Sequence, residues 1–321
     1  MNKWGLALAF ATLTVVGNVG AQTYPTRAIR LLVPSTPGGS VDTLARTIGP
    51  KLTERWGQQV IVDNRPGAGG AIAGELVAKA PPDGYTLLIG TVASLGTNVS
   101  LQKKLPYDPV KDFAPVTLVA TQNLMLLVHP SVPAKSVKEL VRLGRAQPGK
   151  LSFASAGNGT GGHLSGELFK MLAGIEMLHV PYKGVAPALV DVVSGQVSMT
   201  FASILSSLPQ VRAGKLRALA VTGVKRSVAA PELPTMQEAG VKDYESATWY
   251  GIVAPTRTPL DVVNRLNAEI VAIIKRPETH ERLSKEGADP VGNSPQEFGG
   301  FIQSEIEKWR KVIRAAGIQP T

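Results

Sequence analysis

The sequence contains no cysteine. That excludes structural disulfides, a thiolate nucleophile, a cysteine-held metal and a lipidated N-terminal cysteine. Aromatic residues are scarce, at 5%. Lysine and arginine are scattered and form no stripe, so a nucleic-acid surface with stacking platforms is not expected. Catalytic signatures are also missing. There is no G-x-S-x-G elbow; the nearest string, "GHLSG" (162–166), has its serine in the wrong place. There is no Walker A loop and no H-E-x-x-H. His129, His163, His179 and His280 share no metal-ligand spacing. No metal, no cofactor and no catalytic residue is expected, and the chain reads as a non-enzyme. An exported hydrolase would need a nucleophile and a base that the sequence does not display.

What is present begins with the N-terminus. "MNKWGLALAFATLTVVGNVGAQ" joins a positive Lys3, a short apolar stretch Trp4 to Val16 and the small residues Val19-Gly20-Ala21. This is the grammar of a cleavable secretory leader, with cleavage expected after Ala21, so the protein is expected outside the cytoplasm. The apolar stretch is too short to span a bilayer comfortably, and no later segment is long and apolar enough to do so. Formal charge is 34 − 24 = +10, a mild bias toward anionic ligands.

Strand-like and helix-like runs alternate along the rest of the chain. "IRLLV" (29–33) precedes an amphipathic 40–56, with Ser40 as expected N-cap and Pro50 expected to kink or shorten the helix. "VIVDN" (60–64) and "YTLLIGT" (85–91) follow, separated by a small-residue helix at 71–80. A second block repeats the pattern: "LMLLVHP" (124–130), "KLSFASA" (150–156), "EMLHVPYKG" (176–184), "QVSMTFAS" (196–203) and "LRALAVTG" (216–223). Helices are expected at 136–147, where Ser136 and Glu139 would form a capping box, and at 163–173 and 186–194. "WYGIVAP" (249–255) and helices at 259–275, 278–286 and 295–316 close the chain. Strands followed by helices or glycine-rich turns argue for two α/β blocks, each with a largely parallel sheet. Segments 113–130 and 215–255 would connect them.

Two strand-to-helix junctions carry the chemistry. "PSTPGGSVD" (34–42) and "SAGNGT" (155–160) combine glycines with hydroxyls at a helix start, where backbone N–H groups and the helix dipole favour an anion. Taken alone, each could equally be a capped turn. Residues 157–162 also satisfy G-x-G-x-x-G, but the next strand ends in Pro181-Tyr182-Lys183 and lacks the acid that a dinucleotide ribose needs. In open α/β sheets ligands sit beyond the carboxyl ends of the strands, so two such ends facing one another would form a cleft. "RPGAGGAIAG" (65–74) reads as close packing, and Trp249-Tyr250 as core or hinge packing. Lys183 is either a ligand-facing cation or a solvated loop lysine.

In this order the motifs closely resemble the solute receptors of tripartite tricarboxylate transporters, the Bug family. The matching strings include "YPTRAIRLLVPSTPGGSVD", "VIVDNRPGAGG", "APPDGYTLLIGT", "KLPYDPVKDFAPVTLVA", "PGKLSFASAGNGTGGHLSGELFK", "HVPYKGVAPALVDVVSGQV" and "WYGIVAPTRTP". The resemblance implies a two-domain periplasmic-binding-protein architecture of the Venus-flytrap type II, with residues 22–122 and 228–321 as domain 1 and 123–227 as an inserted domain 2. It implies a small carboxylate held between the domains and delivered by a monomeric receptor to two integral-membrane subunits. A sensor that feeds a signalling partner would use the same fold.

By position the resemblance assigns the first clamp to Ser35, Thr36, Gly38, Gly39, Ser40 and Asp42. It assigns the second to Ser155, Ala156, Gly157, Asn158, Gly159 and Thr160, with Thr91, Ser94, Tyr182, Lys183, Ala202 and Ser203 along the sides. Ser35 stands where many relatives carry a bulky aromatic, Ala202 where an acid is common, and Gly161-Gly162 where larger polar residues are usual. These departures predict a roomier pocket and a carboxylate without an amino group. Gly159→Asp is expected to abolish binding with little loss of fold.

Overall fold

The computed structural model describes residues 24–285 and 287–320; the expected leader and its cleavage site lie outside the described residues. The first half opens with β1 (Ile29–Val33), α1 (Ser40–Trp56), β2 (Val60–Asn64), α2 (Ala71–Ala78) and β3 (Thr86–Thr91). A π-helical turn, Val92–Thr97, runs into the short α3 (Asn98–Leu101). The chain then enters β4 (Phe113–Val128).

The second half comprises α4 (Val137–Ala146), β5 (Leu151–Ser155), α5 (Gly161–Ala173), β6 (Met177–Pro181), α6 (Val185–Val193), β7 (Met199–Ser203), α7 (Ile204–Arg212) and β8 (Arg217–Val221). β9 (Ala247–Pro255), α8 (Leu260–Ile274), α9 (Pro277–Lys285), β10 (Ala288–Pro290) and α10 (Pro295–Ala315) return to the first half.

The strands are ordered β2-β1-β3-β9-β4-β7-β5-β6, with β10 and β8 added on β4. The outer trios are parallel, β2-β1-β3 in one half and β6-β5-β7 in the other. The central strands are antiparallel: β9 against β3, and β4 against β9 and β7. β4 is one strand of 16 residues. Its Phe113–Asn123 stretch pairs with β9 and its Leu124–Val128 stretch with β7. It joins the two halves through a continuous backbone ladder.

Alternation within the strands puts helices on both faces. On β1, Ile29, Leu31 and Val33 join a cluster with Leu44 and Ile48 of α1 and Leu266 and Ile270 of α8, while Leu32 joins Val77, Phe298 and Trp309 on the other face. On β4, Leu124, Leu126 and Val128 pack with Phe169 of α5, while Met125 and Leu127 pack with Val192 of α6. Behind the first sheet, Glu305 of α10 accepts from the indole N–H groups of Trp249 at 2.7 Å and Trp309 at 2.9 Å.

Several local expectations change. α1 is not shortened at Pro50 and continues to Trp56, because the proline ring is exposed and the bond it cannot make falls on the Arg46 carbonyl, on a solvated face. The N-cap of α1 is Gly39, and Ser40 is the first helical residue. Ser136 does cap α4 by accepting from Glu139 N, but the Glu139 carboxylate accepts from Lys135 N and leaves the expected box incomplete. Among the described residues no helix is long and apolar enough to cross a membrane.

Candidate functional site

The loop after β1 is fixed by one buried acid. Asp42, 3% exposed, accepts from Gly38 N at 2.9 Å, Arg46 Nε at 3.0 Å and Asn64 Nδ2 at 2.9 Å. Asn64 also donates to Ser35 O at 3.0 Å. Burial alone would raise the Asp42 pKa, but these donors outweigh it and hold the carboxyl below its usual value. Both oxygens are therefore engaged inside the loop, which makes Asp42 an anchor. Gly38 takes φ +87, a left-handed conformation that suits glycine. Ser35 Oγ turns back onto Thr36 O at 3.2 Å, whereas Thr36 is exposed.

The wall beside this loop comes from the end of β3. Thr91 Oγ1 accepts from Ser94 N at 3.3 Å and Ser94 Oγ from Thr91 N at 2.9 Å. This reciprocal cap starts the π-helical turn and uses both expected hydroxyls on backbone. Gly70, at φ +89, lies so close that a β-carbon there would stand 2.8 Å from Pro34 Cβ and 3.1 Å from Ser94 Cβ. The glycine-rich 65–74 segment is thus close packing, as its composition predicts.

The loop after β5 is held differently. Ser155 Oγ accepts from Gly157 N at 3.1 Å and meets His179 Nε2 at 2.7 Å. Gly159 N donates to His163 Nδ1 at 3.0 Å, and Thr160 Oγ1 to Gly157 O at 2.7 Å. The imidazoles of His163 and His179 stack at 4.1 Å, and Phe153 stacks on His179 at 4.8 Å. Burial is the main force lowering both basicities, to about 4 for His163 and about 3 for His179, so both rings are neutral near pH 7. In neither α1 nor α5 does the N-cap side chain accept from a first-turn N–H group.

Two expectations at this loop need correction. A β-carbon at Gly162 would stand 2.6 Å from Phe201 O, and one at Gly161 would stand 3.1 Å from Thr248 Cβ. These glycines let α5 approach β7 and β9 and do not enlarge a ligand pocket. At Gly159, with φ +76, a β-carbon would stand 2.6 Å from Leu101 Cδ1 and 2.9 Å from Thr97 Oγ1. Gly159→Asp would therefore disturb the fold as well as any site.

Along the sides, Tyr182 OH donates to Asp191 Oδ2 at 2.5 Å. Partial burial and this carboxylate push the phenol up to about 12. Lys183 is exposed. Ala202 is buried in the apolar cluster of α6 and α7, and Ser203 Oγ caps α7 by accepting from Ser206 N at 3.4 Å. Ala156 is half-buried and Asn158 exposed. Among the described residues, the side chains of Thr36, Asn158 and Lys183 make no intramolecular hydrogen bond.

The two halves meet at these loops. A β-carbon at Gly184, just after Lys183, would stand 3.9 Å from Thr36 Oγ1. Deeper in, Thr97 Oγ1 of the first half donates to Gly159 O of the second at 2.9 Å. At the crossing strands Tyr250 OH donates to Gln122 Oε1 at 2.9 Å, and the Ser40 hydroxyl bears on the same phenol. Thr97, Gln122 and His179 carry no sequence signal for this region, because their partners lie far away in the chain, and His163, which bonds Gly159 four residues back, meets its ring partner His179 only in the fold. A cavity of about 400 Å³ lies elsewhere, lined by Met125, Leu208, Val211, Leu216, Leu233 and Arg217. Among the described residues, no cluster of three or more His, Asp or Glu could hold a metal.

With this geometry in place, comparison with known proteins is direct. Residues 44–318 match the tripartite tricarboxylate transporter family receptor. The structure of R. palustris Rpa4515 with adipate superposes with a TM-score of 0.89 at 42% identity, covering 93% of this chain and 100% of that one. The periplasmic binding protein BugD gives 0.85 at 33% identity, covering 93% and 100%. MatC (Rpa3494) from Rhodopseudomonas palustris with bound malate gives 0.83 at 33% identity, covering 90% and 100%. The fold is that of the two-domain periplasmic solute-binding proteins, and the chain belongs to the tripartite tricarboxylate transporter family of receptors, in its Bug branch.

Proposed function

We propose that this protein is a solute receptor that captures a small organic carboxylate between its halves and passes it to two integral-membrane transporter subunits. One observation carries the reading: each glycine-rich helix-start loop faces the opposite half, Thr36 of the first lying against Gly184 and Gly159 of the second accepting from Thr97. Backbone N–H groups at the starts of α1 and α5, together with Thr36, Ser40, Asn158 and Lys183, would meet the anion. Charge-assisted hydrogen bonds in a closing, desolvated cleft supply the affinity. Asp42, Ser155, Thr160, Gly157 and Gly159 shape the loops, and Thr91 and Ser94 fix the wall. The inserted domain would comprise 123–227, and the mature chain would begin after Ala21 and act in the periplasm as a monomer.

The ligand is expected to lack an amino group. Asp42 and Asp191, the acids beside the loops, are already engaged by Arg46, Asn64 and Tyr182, which leaves an ammonium group without a partner there. The neighbours with adipate and malate fit this class. Calorimetry on the mature chain with adipate, malate, glutamate and aspartate tests it. Binding of the first pair and not the second supports the reading, and tight binding of glutamate alone would sink it. A deletion strain that still imports the bound acid but no longer responds to it would favour sensing over transport.

A further inference from the structure

We propose that His163 and His179 are positioning residues of the second loop, and that proton uptake by this stacked pair releases the loop and weakens the hold on an anion. The ligand part rests on the function proposed above; the loop part does not.

The geometry is specific. His163 Nδ1 accepts from Gly159 N at 3.0 Å, so its proton sits on Nε2, toward Glu167 Oε1 at 3.9 Å. Protonation at Nδ1 turns that acceptor into a donor facing another donor. His179 Nε2 lies 2.7 Å from Ser155 Oγ, the hydroxyl that also receives Gly157 N–H. A second charge on the pair is opposed by the first, because the rings stack only 4.1 Å apart. β5 presents Phe153 and Ser155 to the pair, and the loop presents Gly159. The charged groups acting on it are Glu167 and Lys170 of α5, which hold one another at 2.8 Å. Burial keeps both rings neutral at pH 7, so acid opens the loop and does not tighten it.

The test follows the Gly157 and Gly159 amides by NMR hydrogen exchange from pH 7 to pH 3.5, corrected for intrinsic rates, alongside imidazole titration over the same range. The comparison protein carries His163→Asn with His179→Gln, which keeps acceptors near Nδ1 and Nε2 but takes up no proton. Protection of Gly159 in the wild type should fall about tenfold while amides of β4 hold theirs, a local opening. The paired variant should show no such fall. Unchanged protection in the wild type, an equal fall in the variant, or a parallel loss in β4 would each overturn the proposal. Should the paired variant not fold, His179→Gln alone and the coincidence of wild-type imidazole and amide titrations decide the matter. Adipate affinity, measured in parallel, should drop more steeply with acid in the wild type than in the variant; adipate's own protonation affects both alike. An equal drop would overturn the link to ligand release. Absence of adipate binding at pH 7 would count against the proposed ligand class, while the amides still judge the switch.

Discussion

The loop after β1 and the loop after β5 occupy equivalent places, yet they are braced by opposite chemistry. The first is braced by charge: one buried carboxylate collects Gly38 N–H, Arg46 and Asn64. The second is braced by neutral groups: two stacked imidazoles and the hydroxyls of Ser155 and Thr160 hold Gly157 and Gly159. A carboxylate brace persists until strong acid, whereas an imidazole brace yields earlier. The same backbone shape is therefore reached with different proton sensitivities.

Substitutions and pH can break or sharpen this contrast. The largest effect is expected from Gly159→Asp, which combines φ +76 with a collision at Leu101. It should cost about 3 kcal/mol, measured by chemical denaturation, along with binding; a fully stable variant would show that the second loop is not rigidly braced. Next comes Asp42→Ala, which leaves Gly38 N–H, Arg46 and Asn64 without their shared acceptor. A loss of about 2 kcal/mol is expected by the same measurement, and a neutral result would contradict the anchoring role.

The pH dependence of stability separates the two loops. Histidines with lowered folded-state pKa bind fewer protons folded than unfolded, so stability falls as pH drops from about 6.5 toward 4. The slope reaches about 1.4 kcal/mol per pH unit for each ring. Asp42 has the same relation in a lower window: its stabilisation is present above its unfolded pKa and is lost as pH falls through its lowered folded value, in stronger acid. Denaturation curves at stepped pH should resolve these windows, and a flat profile between pH 6.5 and 4.5 would refute the imidazole brace. The smallest effect is expected from Thr97→Val, about 1 kcal/mol, through loss of the bond to Gly159 O. A double-mutant cycle with His163→Ala, which removes the acceptor for Gly159 N, should show coupling, since both residues hold Gly159; strict additivity would mean that they act separately.

The sequence was most readable where local pattern and tertiary environment agree. β1 and β2 have the expected bounds, because a short apolar run between turn residues admits little else. β4 reads in the sequence as separate strand segments, since no local signal says that residues 113–128 form one strand shared by two sheets. The π-helical turn at Val92–Thr97 was invisible: it depends on reciprocal bonds between Thr91 and Ser94 that ordinary helix patterns do not encode. The two loops were legible as glycine-rich helix starts, but the internal use of their side chains was not. His163 and His179 lie 16 residues apart in sequence, on different elements, and meet only after α5 folds over β5 and β6. Gly161 and Gly162 looked like vacant volume and proved to be contact surfaces for β9 and β7.

The single strand through both sheets sets the mechanics. Between Asn123 and Leu124 the partners of β4 change from β9 to β7 without a break in the chain. Sliding one half past the other would sever rungs on both sides, while rotation about the backbone dihedrals at that changeover severs none. Torsion at the changeover therefore costs fewer ladder bonds than shear: the two halves share a torsion bar.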